Sequence, residues 1–234
     1  NTTGASNVAV GQSALLANTT AANNTAVGYN SLIANTTGTE NVAVGSLALD
    51  ANTTANGNSA LGHGSLGANT TGAANVAVGT ASLQANTTAS NNTGVGYLAL
   101  GANTTGASCV AVGTNALKAY TTSYNNTAIG KSADENGTGG NGNISIGYNA
   151  QKSAVNSAGQ CTLGNADIIN LRCNDTSISA LSDSRDKTNV IDSPYGLDFI
   201  NTVRPVQFLW DTRDGNAKDG STRIGFLAQE LLAA

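Results

Sequence analysis

The sequence predicts a mainly β chain: a parallel β-solenoid of 17-residue coils followed by a small α+β domain. Three observations carry this. The motif Asn7-Val8-Ala9-Val10-Gly11 returns every 17 residues, with copies starting at Asn24, Asn41, Asn58, Asn75, Asn92, Cys109, Asn126, Asn143 and, in degraded form, Gln160. A strict short period marks units that bury their apolar faces only by stacking on one another. Within each copy, small and aliphatic residues alternate with the period of a strand. The composition then changes: of 10 basic and 14 acidic side chains only Glu40, Asp50, Lys118, Lys131, Asp134, Glu135 and Lys152 precede Asn165, whereas Trp210, all three Phe and both Pro follow it.

These features divide the chain into a repeat shaft (1–164), a junction (165–181) and a mixed-composition C-terminal domain (182–234). The junction is marked by the spaced apolar residues Ile168, Ile169, Leu171, Ile178 and Leu181. The chain lacks Met and opens in mid-repeat, so it reads as a piece of a longer protein. No stretch reads as a membrane span or signal peptide, and no membrane insertion is expected. A net charge of -4 supplies no basic footprint for nucleic acid. Cys109, Cys161 and Cys173 match no metal spacing and read as free thiols, so neither a metal nor a cofactor is expected.

One rung is Asn-Val-Ala-Val-Gly-x-x-Ala-Leu-x-Ala-Asn-Thr-Thr-Gly-x-x. The fourth position is aliphatic in every rung from Val10 to Leu163, which assigns it to the coil interior. The ninth is Leu from Leu15 to Leu117 and is expected to fill the same core. The fifth-position Gly marks a corner that needs positive φ or close backbone approach. Seventeen residues at about 3.3 Å each suit two short strands and two turns, stacked at about 4.8 Å per rung. The third position points away from the fourth yet stays Ala or Gly from Ala9 to Ala128. On that reading it forms a second buried face against another chain, and the coil is too small to stand alone.

A 34-residue period lies inside the first. The sixth position alternates small residues with the large set Tyr29, His63, Tyr97 and Lys131, a spaced row that is a candidate receptor-binding stripe. Its other reading is that Tyr covers the adjacent Thr-bearing strand. The Asn-Thr-Thr triplets from Asn1 to Asn103 are formal glycosylation sequons, but their fixed place in the rung favours stacked Asn and Thr ladders. Ice binding needs Thr-x-Thr on one face, and here Thr19 and Thr20 are adjacent. A glycosidase needs two carboxylates about 5 to 10 Å apart. No rung position is repeatedly acidic, so no enzyme activity is expected in the shaft.

With its Asn-x-Val-Ala-Ile-Gly type motif once per coil, the shaft resembles the left-handed parallel β-roll heads of trimeric autotransporter adhesins. The Ala-Asn-Thr-Thr stretch makes these coils longer than that family's. The resemblance implies a left-handed β-roll and a homotrimer packed about one axis.

In the C-terminal segment, Ser193-Pro194 caps a predicted helix carrying Leu197, Phe199, Ile200 and Val203, which Arg204-Pro205 stops. Val206–Trp210 reads as a strand, 211–221 as a polar turn, and Arg223–Ala228 as the return strand. Ser182-Asp183-Ser184-Arg185-Asp186-Lys187, Tyr195-Gly196-Leu197, Arg204-Pro205-Val206 and Ile224-Gly225-Phe226 resemble the intramolecular chaperone domain of phage tailspikes and tail fibres. That is a self-cleaving peptidase family also found in membrane-bound transcription factors. This copy is shorter than the family's domain. The resemblance implies a Ser182–Lys187 dyad, supported by Asp183 and Arg185, that cleaves before Ser182. The expected protein is therefore a homotrimeric tail fibre of a virion, attaching to a host receptor or glycan and joined to other tail proteins upstream. The alternative is a bacterial cell-surface trimeric adhesin.

Overall fold

The computed structural model describes residues 1–169, 205–209 and 222–225, and the chain divides into two compact units, Asn1–Leu171 and Arg172–Ala234. In the first unit ten three-residue strands form one parallel sheet in chain order. They are β1 (Val8–Val10), β2 (Thr25–Val27), β3 (Val42–Val44), β4 (Ser59–Leu61), β5 (Val76–Val78), β6 (Thr93–Val95), β7 (Val110–Val112), β8 (Thr127–Ile129), β9 (Ile144–Ile146) and β10 (Cys161–Leu163). The register never slips: Ala43 pairs with Ala60 and Ala60 with Ala77. This is a parallel β-solenoid with 17 residues per coil, and no helix occurs among the described residues.

Each coil contributes one strand where two were expected. The seventh and ninth positions are left-handed, with φ of 58° at Leu47 and 51° at Leu49, so no second β run can form. Backbone bonding between coils persists all the same: Leu49 N–H donates to Ser65 O at 3.0 Å and Ala51 N–H to Gly67 O at 3.2 Å. A left-handed non-Gly residue costs about 1–2 kcal/mol. The same conformation recurs from Leu15 to Leu117, where stacked Leu side chains and inter-coil hydrogen bonds offset that cost.

The strand faces are the reverse of those predicted. Third-position Ala26, Ala43, Ala77, Ala111 and Ala128 are fully buried in the coil interior with the ninth-position Leu column. Fourth-position Val10, Leu61, Ile129 and Leu163 point out, at 58%, 51%, 41% and 52% exposure. The reason is interior width. At Gly94, the rung lacking a third-position methyl, a Cβ would lie 2.6 Å from Ser82 Oγ and 3.4 Å from Leu83 Cγ. Where Leu fills the centre the strand carries nothing larger than Ala; Ser145 takes the place only in β9, whose rung has Gln151 at the ninth position. The Ala row therefore needs no second chain, and the argument for association moves to the opposite face.

Two Asn ladders line the interior. Asn35, Asn52, Asn69 and Asn86 are each fully buried, and each side-chain amide donates to the Asn of the preceding rung, as Asn52 Nδ2 does to Asn35 Oδ1 at 2.9 Å. At the first position Asn41 N–H donates to Asn24 Oδ1 at 3.0 Å, while Asn41 Nδ2 donates to Ala55 O at 2.8 Å. Thr53 Oγ1 donates to Thr70 O at 3.2 Å in a third ladder. The sequon Asn residues are thus structural. Fifth-position Gly45 has φ 138°, and a Cβ there would lie 2.5 Å from Gly62 O. Close backbone approach and positive φ both hold at this corner, as expected.

In the second unit β11 (Val206–Leu209) and β12 (Thr222–Gly225) pair antiparallel, Val206 opposite Gly225 and Leu209 opposite Thr222. β11 matches the first predicted strand to Leu209, and β12 overlaps the predicted return strand at residues 223–225. The predicted helix and Ser182, Asp183, Arg185 and Lys187 lie outside the described residues.

Candidate functional site

The sixth-position row follows directly from the Gly corner. Each residue after the Gly leaves the strand edge outward, so Tyr29 and Tyr97 are 50% and 52% exposed and His63 and Lys131 are exposed as well. Successive members stand two rungs apart, about 9.6 Å at the spacing of hydrogen-bonded strands. They form a row along the shaft. Lys131 alone gains a partner, with Nζ 5.9 Å from the ring centroid of Tyr148, the next rung's sixth residue. A cavity of about 290 Å³ opens beside His63, lined also by Leu47, Asp50, Gly64, Gly67, Ala68 and Gln84. Burial holds the Asp50 carboxyl above its ordinary 3.8, against the opposing pull of the Asp50 and Ala51 backbone N–H groups.

The outward strand face is the second feature. Val8, Val42, Val76 and Ile144 from the second position join Val10, Leu61, Val112, Ile129, Ile146 and Leu163 from the fourth, each at least 36% exposed. Aligned by the register, they make a continuous aliphatic stripe along the sheet. The alternation of residues had signalled two faces, but it did not say which one lay inside.

The third feature was missed at the sequence level. Asp134 occupies the ninth position, where seven preceding rungs carry Leu, and Tyr120 the position where seven preceding rungs carry Asn. Lys152 reaches them from the tenth position of the following rung. Tyr120 Oη donates to Asp134 Oδ2 at 2.5 Å, and Lys152 Nζ donates to Tyr120 Oη at 2.6 Å and to the Gly139 carbonyl. Lys152 Nζ is 3.9 Å from Asp134 Oδ2, with side-chain exposures of 2% and 1%. The ammonium also lies 4.5 Å from the Tyr120 ring centroid. Burial lowers the Lys152 pKa, against the opposing charge of Asp134. Burial, with Asp134 beside it, raises that of Tyr120.

Among the described residues no group of three or more His, Cys, Asp or Glu is placed to hold a metal ion. Cys109 and Cys161 are free thiols, and Cys109 takes an Asn-ladder position with Sγ 3.4 Å from Ser123 O. No described helix is long and apolar enough to cross a membrane.

A family model described as chaperone of endosialidase matches residues 182–234, the segment that carries Ser182 and Lys187. No curated protein and no solved structure matches the chain.

Proposed function

We propose that this chain is the distal part of a homotrimeric virion appendage, a tail fibre whose solenoid shaft presents a host-attachment surface. The aliphatic stripe of the strand face carries the reading. A file of Val, Ile and Leu running the length of ten rungs is the kind of contiguous apolar surface that marks an association site. Three left-handed coils packed about one axis would cover it, leaving Tyr29, His63, Tyr97 and Lys131 as the row offered to a host receptor or glycan.

The C-terminal segment supplies what the shaft lacks. Near-identical rungs can pair one coil out of step at little cost, because each presents the same groups to its neighbour. A non-repeating α+β domain of the chaperone type gives three chains a common reference point, which the match at 182–234 supports. In this reading Ser182 attacks the Leu181 carbonyl and Lys187, held neutral, takes the hydroxyl proton.

Sedimentation of the whole chain beside a version ending at Leu181 tests the proposal. The whole chain is expected as a single trimer, and the shortened one as aggregates or rods of mixed register. A folded monomer from the whole chain would refute trimerisation. Clean trimers from residues 1–181 would show that the shaft sets its own register.

A further inference from the structure

Three departures from the repeat meet at one point: Leu becomes Asp134, Asn becomes Tyr120, and Lys152 turns inward where Lys118, two rungs earlier at the same position, has a side chain 43% exposed. An ion pair this deep is expensive relative to the Leu and Asn it displaces. One carboxylate oxygen, Asp134 Oδ1, is buried with no donor from the protein. The ammonium and the Tyr120 hydroxyl both address Oδ2, so the protein contacts gather at one side of this carboxyl group.

We propose that Lys152 and Asp134 condense into an intramolecular amide bond, with the Tyr120 hydroxyl relaying the protons. One proton first passes from the Lys152 ammonium through Tyr120 to the carboxylate, leaving a neutral amine and a carboxylic acid. The Nζ lone pair then attacks Asp134 Cγ. As the tetrahedral centre collapses, one carboxyl oxygen leaves as water, taking up the proton that the nitrogen gives to Tyr120, whose hydroxyl ends as it began. One N–C bond forms, one C–O bond breaks, one water is released, and no oxidant, metal or nucleotide is consumed.

The surroundings favour each stage. Tyr120 Oη already bridges donor and acceptor at 2.6 and 2.5 Å. Burial of Lys152 favours the neutral amine that attack requires. Condensation removes two buried charges at once, so the desolvation penalty that opposes the ion pair drives the reaction. Attack needs Nζ within about 3–3.5 Å of Cγ, and Nζ stands 3.9 Å from the Oδ2 bonded to that carbon. A cavity of about 190 Å³ lined by Asp134 and Lys152 offers the released water an exit. Gly137 keeps the cluster tight, since a Cβ there would lie 2.6 Å from the Tyr120 ring and 2.7 Å from Asp134 Oδ1. The product staples the coil of β8 to that of β9.

Mass spectrometry of the denatured, purified chain decides the matter. The linked chain is expected one water lighter than its sequence. Trypsin does not cut after an amidated lysine, so a single peptide 132–172, also one water light, is expected in place of 132–152 and 153–172. Lys152→Ala and Asp134→Leu, the latter restoring the repeat's own residue, are each expected to return the full mass. Tyr120→Phe keeps the ring but loses the relay and is expected to leave the link unformed or slow to form. Full sequence mass with separate 132–152 and 153–172 peptides overturns the proposal. So does a water lost elsewhere, with 132–152 released intact.

Discussion

Asn103 and Tyr120 occupy the same position of successive rungs, and the Asn103 Oδ1 that would receive the next amide of the ladder is buried without a donor. Six amides below it form the ladder from Asn18 Nδ2 to Asn103 Nδ2, each donating to the Asn one rung back. The ladder ends because Tyr120 turns its hydroxyl to Asp134 and Lys152 instead.

Tyr120→Asn would give Asn103 its donor, worth about 0.5–1.5 kcal/mol. It would also empty the volume of a fully buried ring, a loss of about 3–5 kcal/mol in comparable cores, and strand two buried charges. The loss dominates, so a lower melting temperature is expected. Adding Asp134→Leu continues both ladders and lets Lys152 swing out to solvent. Thermal melts of the double variant are therefore expected to recover most of the stability; a further drop would contradict the ladder account.

Gly45 and Gly57 separate two reasons for glycine. Both have positive φ, 138° and 67°, but a Cβ on Gly45 would strike Gly62 O at 2.5 Å whereas one on Gly57 meets nothing within 4 Å. Gly57→Ala is expected to cost about 1–2 kcal/mol, the left-handed penalty alone. Gly45→Ala adds a backbone clash that only parting the coils relieves, and its loss in chemical denaturation is expected to be clearly larger. Equal losses would show that the close approach carries no weight.

Much of the shaft was legible in the residues because a strict period is hard to mistake. The coil length, the place of the one strand that forms, the Gly corner, the Leu core and the Asn ladders all follow from what recurs. Which strand face lies inside was not legible, since Ala and Val both suit a buried position and only the width left by the Leu column decides between them. The left-handed conformation of Leu15 through Leu117 was equally hidden, because Leu carries no signal for positive φ. The cluster at Tyr120 was within reach: Asp134 falls in the Leu register and Tyr120 in the Asn register, and a column-by-column reading of exceptions exposes both. Nothing in Lys152 itself announces that it folds inward.

Asp50 yields a pH prediction. Its folded pKa is raised by burial, so the folded chain holds a proton that the unfolded chain has released once pH passes 3.8. Stability attributable to Asp50 therefore falls as pH rises from 3.8 through the raised folded value, and the penalty stays constant above it. Asp50→Asn removes the titration. The variant is expected to melt higher than wild type at neutral pH, with the gap closing below the ordinary carboxyl value. A gap that widened in acid would reverse the sign and defeat the argument.

The two faces of the strands make opposite demands on the same substitution. Ala77 is fully buried against the Leu column, so Ala77→Glu forces a carboxylate into a space that fits one methyl. A loss above about 4 kcal/mol is expected, from overpacking and an unpaired buried charge together. Circular dichroism would show a lost fold. Leu61 and Ile129 are 51% and 41% exposed on the stripe, and Glu there meets water in the single chain. Each change is expected to leave the fold of one chain within about 0.5 kcal/mol of wild type. Placed at a trimer axis, however, the same change brings three carboxylates together in an apolar seam, and dissociation is the expected result. Sedimentation of Leu61→Glu and Ile129→Glu thus reads assembly apart from folding. Intact trimers from the doubly substituted chain would move the interface off this face altogether.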